Sequence, residues 1–279
     1  MEPIVAVIAP GAMGAAVAAR LAEHGLAVRT SLAGRGPASA DRARAAGMRP
    51  VEEEALAETD ILLSIVPPGE ALALAERLAP VLARRGPGPV YADCNAVSPQ
   101  TAARIGAVVS AAGLRFVDAG IIGGPPRPGS RGPVFYASGP DAAALAALSA
   151  RGLAVEVLDA PIGAASGLKM SYAGITKGTT ALAAAMVLAA TRFGAADVLR
   201  RELAGSRPDL LAFFGRSVPD MLPKARRWVA EMEEIAAFAG EDAAAGQIYV
   251  GVARLYRRLA EDGDGDRAEA GALETFFRN

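Results

Sequence analysis

The chain has 279 residues, of which 52% are hydrophobic and 21% charged, and its formal net charge at pH 7 is −1. This composition indicates a globular protein of one large domain or two ordinary ones. A charge so close to zero gives no electrostatic reason to expect binding to nucleic acid or to an anionic membrane. The single cysteine, Cys94, excludes an internal disulfide, and no basic leader precedes the first apolar run. We therefore expect a cytoplasmic protein.

The scarcity of histidine and cysteine limits the kinds of catalytic and metal-binding site that the chain can form. The only histidine, His24, precedes Gly25 at a predicted helix end, where both residues are ordinary capping features. A histidine-based proton relay or metal site is therefore not expected. The acidic run at 262–266 resembles a calcium loop, but Arg267 and Leu273 stand where glycine and glutamate are needed. Cys94 is predicted to be a packed thiol, because no histidine is available to activate it.

The N-terminal residues are predicted to form a strand, a glycine turn and a helix. Residues 4–8 are a short apolar run, typical of a strand buried on both faces of a parallel sheet. Residues 9–14 resemble the dinucleotide-binding fingerprint, with alanine replacing its first glycine. Gly11 would let the backbone approach a pyrophosphate, and Gly14 would allow close helix packing. The predicted pyrophosphate-binding residues are Gly11, Ala12, Met13 and Gly14.

The end of the second predicted strand indicates which dinucleotide is bound. An NAD-binding strand should end in Asp or Glu, and no acid is present between residues 27 and 35. Ser31 and Arg35 suit the 2′-phosphate of NADP instead, because a guanidinium group pairs with phosphate in a bidentate fork. The sequence therefore predicts NADP (NADPH) as the cofactor. A solvated loop arginine is the alternative interpretation of Arg35.

Strands and helices go on alternating to about residue 161, which predicts an α/β domain with a doubly wound, mostly parallel sheet. In such sheets ligands bind beyond the carboxyl ends of the strands. The residues predicted to contact the cofactor at those ends are Val66, Pro67, Pro68 and Asn95. The glycine- and proline-rich stretch at 119–127 either presents backbone N–H groups to a ligand or is a plain connection.

Residues 166–193 are predicted to form one alanine-rich helix, roughly 40 Å long. Its longest uncharged piece, residues 178–191, is shorter than the roughly 20 residues a membrane span needs, so we predict a buried helix. One stripe of this helix is polar and indicates a wet groove; it holds Ser166, Lys169, Tyr172, Thr176 and Thr180. Alternatively, Lys169 extends to solvent along an apolar surface.

From residue 195 onward only helical patterns occur, which predicts an all-α C-terminal domain. Residues 217–223 are predicted to form a turn. Met232, Glu233 and Glu234, on a later helix, are predicted to approach the substrate cleft. This would favour a cationic or amino-bearing substrate.

Together these residues resemble the β-hydroxyacid dehydrogenase superfamily, which includes 3-hydroxyisobutyrate and 6-phosphogluconate dehydrogenases. The motifs that carry the resemblance are residues 8–14, 64–68, 118–124 and 163–169. The phrases at 9–14, 169–174 and 231–236 further resemble a bacterial subgroup whose phosphogluconate-dehydrogenase-related C-terminal domain has no settled function. The resemblance implies a Rossmann domain over residues 1–161, then a long inter-domain helix and an all-helical, homodimer-forming domain within residues 162–279.

The resemblance also implies a catalytic role for Lys169, which would exchange a proton with the substrate hydroxyl while hydride moves to or from the nicotinamide. The family asparagine that follows this lysine is replaced here by Tyr172 or Ala173, and Tyr172 could supply a substitute donor. The family serine before the glycine pair is replaced by Ile122. The predicted catalytic residues are Lys169 and Tyr172. The predicted substrate-binding residues are Ile122, Gly123, Gly124, Tyr172 and Thr176.

The leading functional hypothesis is an NADP(H)-dependent oxidoreductase acting on a small-molecule hydroxy acid or related carbonyl compound. The alternative is an imine reductase, in which the lysine position commonly holds another residue. A third hypothesis, from a different class, is a non-catalytic NADP(H)-binding protein. The lysine in the groove favours the first of these.

Overall fold

In a computed structural model, which describes residues 2–84 and 86–278, the chain divides into two compact units, Met1–Met170 and Ser171–Asn279. The strands are β1 (Val5–Ile8), β2 (Val28–Thr30), β3 (Arg49–Pro50), β4 (Ile61–Ser64), β5 (Val90–Asp93), β6 (Phe116–Ile122), β7 (Val134–Ser138) and β8 (Ala154–Val157). The α-helices are α1 (Ala12–Glu23), α2 (Pro37–Ala45), α3 (Ala71–Leu82), α4 (Pro99–Ala111), α5 (Ala143–Ala146), α6 (Ala164–Arg192), α7 (Ala196–Ser206), α8 (Pro208–Met221), α9 (Ala225–Phe238), α10 (Ala243–Asp264) and α11 (Ala268–Arg278). The predicted fold class is confirmed.

The first unit is built on one eight-stranded sheet with the order β3-β2-β1-β4-β5-β6-β7-β8. All neighbouring strands are parallel except β6 and β7. The chain moves outward from β1 in one direction through β2 and β3, then returns to the other side of β1 with β4. Strand order therefore reverses beside β1, and in doubly wound sheets the ligand crevice lies at this point.

Both faces of the sheet are covered by helices, as the unbroken apolar runs of the strands require. In β1, Val7 faces a core that includes Leu21 of α1, whereas Ile8 faces a second core that includes Leu78 of α3. Alternate residues of each strand therefore enter different cores. This packing fixes the carboxyl ends of β1, β4 and β5 side by side.

Two stretches differ from their predicted structure. The predicted loop at 119–127 begins later, because residues 119–122 extend β6 and pair antiparallel with β7. The predicted turn at 217–223 is wrong: α8 continues to Met221 with Pro219 inside it, and a 3₁₀ turn follows at Leu222–Lys224. Val218 and Met221 are fully buried, so tertiary packing outweighs the tendency of proline to end a helix.

Helix α6 is close to its predicted extent but is not buried all round. Exposed large apolar side chains recur along it at positions separated by three, four or seven residues: Leu168, Tyr172, Ile175, Leu182 and Met186. Among the described residues α6 is the one helix long and apolar enough to cross a membrane, judged by length and composition alone. Core helices of soluble proteins meet the same criterion, so this is weak evidence for a membrane span.

Candidate active site

The glycine turn after β1 leaves the start of α1 open. Gly11 is the N-cap residue, no side chain caps the helix, and no acidic residue lies in its first turn. A Cβ atom on Gly11 would meet no atom within 4 Å, whereas one on Gly14 would lie 2.0 Å from the carbonyl oxygen of Ala9. Ala12 is exposed and Met13 half-buried. Unshielded N–H groups at a helix start, with room for close approach, fit the pyrophosphate of a dinucleotide.

A buried amide holds the loop that follows β4. Asn95 is 3% exposed, and its Oδ1 accepts a hydrogen bond from the Val66 N–H at 2.6 Å. Its Nδ2 donates to Ser64 Oγ at 2.9 Å and also to Asp93 Oδ1. The side chain of Asn95 is therefore engaged by the protein and positions the segment that begins at Val66, in which Pro67 is exposed and Pro68 half-buried. Direct contact of these residues with a cofactor stays a prediction.

The residues predicted to bind a 2′-phosphate lie in and after β2. Ser31 is 7% exposed and its Oγ accepts from the Ala33 N–H at 3.2 Å. The Arg35 guanidinium pairs with the Glu70 carboxylate at 3.1 Å. A carboxylate is thus held where Arg35 was predicted to bind a phosphate. The Arg35 side chain is 29% exposed and that of Glu70 is 52% exposed, so another anion could replace the Glu70 carboxylate in this pair.

Arg42 was not identified from the sequence. This α2 residue donates through Nε to the carbonyl oxygen of Pro10, in the glycine turn, at 2.8 Å. Its Nη2 donates to Ser39 Oγ at 3.0 Å. The three-residue spacing of Ser39 and Arg42 would have placed them on one helical face, but nothing in the sequence indicates that this face meets Pro10.

A row of buried polar residues, also not identified from the sequence, crosses the sheet. Ser64, Asp93, Asp118 and Ser138 pair in register on β4, β5, β6 and β7, and each is 0% exposed. The row is the last rung before the carboxyl ends of β4 and β5. Two carboxyl groups therefore face each other from neighbouring strands inside the protein.

The two carboxyl groups differ in their hydrogen bonds. Asp93 Oδ2 and the nearby Tyr91 hydroxyl are buried without a hydrogen-bond partner in the described part of the chain. Burial raises the pKa of Asp93 from its ordinary value of 3.8 to about 7, the charge of Asp118 adds to this rise, and the hydrogen bond from Asn95 opposes it. Burial likewise raises the pKa of Cys94, whose thiol is packed as predicted.

Asp118 meets the beginning of α6. Its Oδ2 accepts from the Gly163 N–H at 2.8 Å, from the Ser166 N–H at 3.2 Å and from Ser138 Oγ at 2.9 Å. Its Oδ1 accepts from Ser166 Oγ. Ser138 Oγ in turn accepts from the Ala165 N–H at 3.0 Å. The first turn of α6 is thereby fixed to the sheet by two strand side chains.

Lys169 lies one turn further along α6, against the backbone of β6. A Cβ atom on Gly120 would lie 2.8 Å from the Ala165 carbonyl oxygen and 3.0 Å from Lys169 Cβ, so only glycine allows this approach. Lys169 is half-buried. Strand β6 ends two residues after Gly120 at Ile122, which is half-buried and is followed by the exposed Gly123 and Gly124. Gly123 has a φ of 124°, a conformation that favours glycine.

The remaining residues of the predicted polar stripe do not all face a groove. Tyr172 is 50% exposed, and Thr176 Oγ1 donates to the Tyr172 carbonyl oxygen at 2.9 Å. Ser166 and Thr180 are buried, with the Thr180 hydroxyl donating to the Thr176 carbonyl oxygen. The predicted wet groove is therefore wrong at Ser166 and Thr180, because their hydroxyl groups are satisfied inside the protein.

The helical unit contains a half-buried cation, Lys177, that was not identified from the sequence. Lys177 of α6 pairs with Glu231 of α9, and its Nζ lies 4.6 Å from the centroid of the Trp228 ring. The Tyr256 hydroxyl donates to the Lys177 carbonyl oxygen at 2.6 Å. These contacts tie α6 to α9 and α10 within this unit.

The predicted approach of residues 232–234 to a cleft is wrong at Met232. Met232 is fully buried in the helical unit. Glu233 pairs with Arg257 of α10 at 2.7 Å. Met232 therefore cannot line a substrate cleft, and the approach of Glu233 and Glu234 to a cleft stays a prediction.

Comparisons with known proteins agree with this geometry. Residues 4–150 match the NAD binding domain of 6-phosphogluconate dehydrogenase, and the chain therefore belongs to that family. Residues 190–259 match a domain of unknown function, DUF1932. The resemblance stated from the sequence is confirmed. The fold is an NAD(P)-binding fold of the hydroxyacid dehydrogenase type. No curated protein matches the chain.

Solved structures resemble the whole chain. One is a conserved protein of unknown function described as structurally similar to 3-hydroxyacid dehydrogenases; it is 31% identical, with 90% of this chain and 98% of that one covered and a TM-score of 0.67. A Mycobacterium tuberculosis 3-hydroxyisobutyrate dehydrogenase with L-serine is 20% identical, with 99% of each chain covered and a TM-score of 0.70. A Myxococcus stipitatus imine reductase variant with NAD⁺ is 20% identical, with full coverage of both chains and a TM-score of 0.61.

Proposed function

We propose that this protein is a cytoplasmic NADP(H)-dependent oxidoreductase that interconverts a small hydroxy acid, or a related alcohol, and its carbonyl compound. The observation that supports the proposal is the packing of Lys169 against Gly120 of β6, the strand that leads into the glycine pair. Residues 1–161 would bind the nucleotide. Residues 162–279 would complete the substrate site and form a homodimer.

Each residue of the proposed site has a separate task. The open start of α1, from Gly11 to Gly14, would hold the pyrophosphate, and the bound cofactor would supply or accept hydride. In the direction of reduction, Lys169 would donate a proton to the developing alkoxide oxygen, and in oxidation it would accept that proton. The N–H groups of Gly123 and Gly124 would receive the substrate carboxylate. Tyr172 and Thr176 would supply hydroxyl groups further along α6.

The preference for NADP rests on Arg35. In the protein this guanidinium already holds one anion, the Glu70 carboxylate. A 2′-phosphate carries more charge than a carboxylate and forms a bidentate pair with arginine, so it would replace Glu70. Ser31, four residues earlier, could donate its hydroxyl proton to the same phosphate.

Imine reduction is the second candidate reaction. It is favoured by Ile122, which stands where a hydroxyl group would help to hold a carboxylate, and by the similarity to an imine reductase. Lys169 favours the hydroxy acid. A nucleotide-binding protein without catalytic activity is the third candidate, and it leaves the close packing of Lys169 against β6 unexplained.

Turnover with a substrate panel separates these candidates. The purified protein is assayed with 2- and 3-hydroxy acids in oxidation, and with their oxo acids and cyclic imines in reduction. We expect turnover of at least one hydroxy or oxo acid to exceed that of every imine. Faster imine reduction would assign the second reaction, and nucleotide binding without turnover of any compound would assign the third function.

The cofactor is tested in the same assay with NADPH and NADH. We expect kcat/KM for NADPH to exceed that for NADH in the unaltered protein, and Arg35→Gln to remove most of the difference by weakening NADPH alone. Arg84→Gln, in an arginine just beyond α3 and away from the glycine turn in sequence, serves as the matched charge control. An NADPH preference unchanged by Arg35→Gln would remove the assignment of the 2′-phosphate site.

The proposed homodimer is supported by the apolar stripe on α6. Ile175 is 67% exposed and Leu182 62%, and they lie on one face of a 29-residue helix. A second copy of the chain would cover such a face, because monomers rarely expose a long apolar stripe. We expect sedimentation to show a dimer, and Ile175→Glu to shift it toward monomer. Exposed Arg254→Glu on α10 is the control. A monomeric unaltered protein would contradict the proposal.

A further inference from the structure

The first turn of α6 takes its capping groups from the sheet. The N-terminal N–H groups of an α-helix have no acceptor within the helix, and a nearby Ser, Thr, Asp or Asn usually supplies one. Here the N–H groups of Gly163 and Ser166 donate to Asp118 and that of Ala165 donates to Ser138. Asp118 precedes Gly163 by 45 residues and Ser138 precedes Ala165 by 27. The position of the helix start thus depends on β6 and β7.

Asp118 places a carboxyl group at the start of α6. All of its recorded partners are donors: two N–H groups and the hydroxyl groups of Ser138 and Ser166. Asp118 is 0% exposed and lies at the positive end of the α6 dipole. Ser138 also accepts a hydrogen bond from the first turn of α6, but its side chain is uncharged.

The same strand holds Lys169. Gly120 lies two residues after Asp118 on the same face of β6, and its missing side chain makes room for Lys169 Cβ. Ser166, bonded to Asp118 through both its N–H and its hydroxyl group, is one helical turn before Lys169. Asp118 and Gly120 therefore determine where α6 begins and how closely Lys169 approaches the sheet.

We propose that Asp118 and Ser138 are positioning residues for the reaction, which hold the Lys169 ammonium in place through the first turn of α6. Asp118 also provides the negative charge that helps Lys169 to retain its proton. The inference rests on the proposed function, in which Lys169 is the acid. Asp118 and Ser138 act on substrate only through Lys169. A misplacement of about 1 Å can lower turnover by roughly 100-fold, so a helix start that moves has a large effect.

The test compares Asp118→Asn and Ser138→Ala with Thr59→Val, which removes a buried hydroxyl bond at the opposite end of β4. We expect Asp118→Asn to lower kcat by roughly 10- to 100-fold while KM and the Kd of NADPH change by less than about threefold. The limb of the kcat pH profile that reports Lys169 should move to lower pH, because a carboxylate would be lost from the first turn of the same helix. Ser138→Ala should lower kcat less and leave that limb in place. Thr59→Val should change neither.

Amide hydrogen exchange gives a second reading that needs no substrate. The N–H groups of Ala165 and Ser166 should be protected in the unaltered protein and should exchange faster in Asp118→Asn and Ser138→Ala. Faster exchange with unchanged kcat and an unchanged pH profile would mean a purely structural role and would overturn the proposal. Unchanged exchange would overturn it as well. If Asp118→Asn does not fold, Ser138→Ala and Ser166→Ala are judged by the same readings.

The inference and the proposed function can fail separately. If the unaltered protein turns over no compound of the panel, the proposed function fails. The pH at which Lys169 becomes reactive toward trinitrobenzenesulfonate, followed by peptide mass, then replaces kcat as the reading. A lower midpoint in Asp118→Asn than in Thr59→Val supports the placement of charge beside Lys169. Equal midpoints overturn it.

Discussion

Replacing Lys169 with methionine is expected to lower kcat by at least roughly 100-fold, with little change in the affinity for NADPH. Methionine keeps the unbranched, flexible stem that packs beside Gly120 but cannot donate a proton. A general acid contributes about 10²- to 10⁴-fold to turnover, so its loss should lie in this range. Single-turnover and steady-state rates with the best compound of the panel provide the measurement.

The lysine content of the chain makes this experiment specific. The chain has three lysines, Lys169, Lys177 and Lys224. Lys224→Met is the matched control, because Lys224 lies on the surface paired with Asp220. We expect it to leave turnover unchanged. Lys177 is unsuitable as a control because its ion pair with Glu231 is buried in the helical unit. Turnover of Lys169→Met within a few-fold of the unaltered protein would remove Lys169 from the mechanism.

The elements around Lys169 were predictable because local pattern determines them. Three of these elements can be recognised from their own short stretch of sequence: the apolar run at 61–65, the glycine turn at 11–14 and the alanine-rich segment of α6. The turn predicted at 217–223 is wrong because two buried side chains, Val218 and Met221, decide its structure through packing. Local propensity is overridden where tertiary contacts are strong.

The contacts that hold the site could not be predicted, because they too depend on tertiary packing. The register of β4, β5, β6 and β7 places Ser64, Asp93, Asp118 and Ser138 in one row, although 74 positions separate the first from the last. From the sequence alone, each of these polar residues could equally lie exposed to solvent at the end of its strand. The pairing of Arg35 with Glu70 likewise depends on how two loops meet. Sequence spacing contains no information on such pairings without a known register.

Replacing Asp93 with asparagine is expected to make the protein more stable than the unaltered chain at pH 8 and to remove part of its dependence on pH. The folded protein raises the pKa of Asp93 from 3.8 to about 7, chiefly through burial. Below about pH 4 the carboxyl group is protonated in both the folded and the unfolded chain, and its contribution to stability is complete. Between pH 4 and 7 the unfolded chain releases the proton first, so stability falls as pH rises.

The size of this effect follows from the shift. One pKa unit corresponds to about 1.4 kcal/mol, so the raised pKa of Asp93 lowers the free energy of unfolding by up to about 4 kcal/mol between pH 4 and pH 8. Asparagine has nearly the same shape, can still accept from Asn95, and does not ionise. Urea unfolding at a series of pH values should show the difference between Asp93→Asn and the unaltered protein growing across this range.

A control and a spectroscopic reading make the result specific to Asp93. Thr59→Val, which removes a buried hydroxyl group but no ionisable one, should differ from the unaltered protein by the same amount at every pH. The infrared carbonyl stretch of a protonated carboxyl group should be present at pH 6 in the unaltered protein and absent from Asp93→Asn. A difference in unfolding free energy that does not vary with pH would mean that Asp93 is ionised in the folded chain.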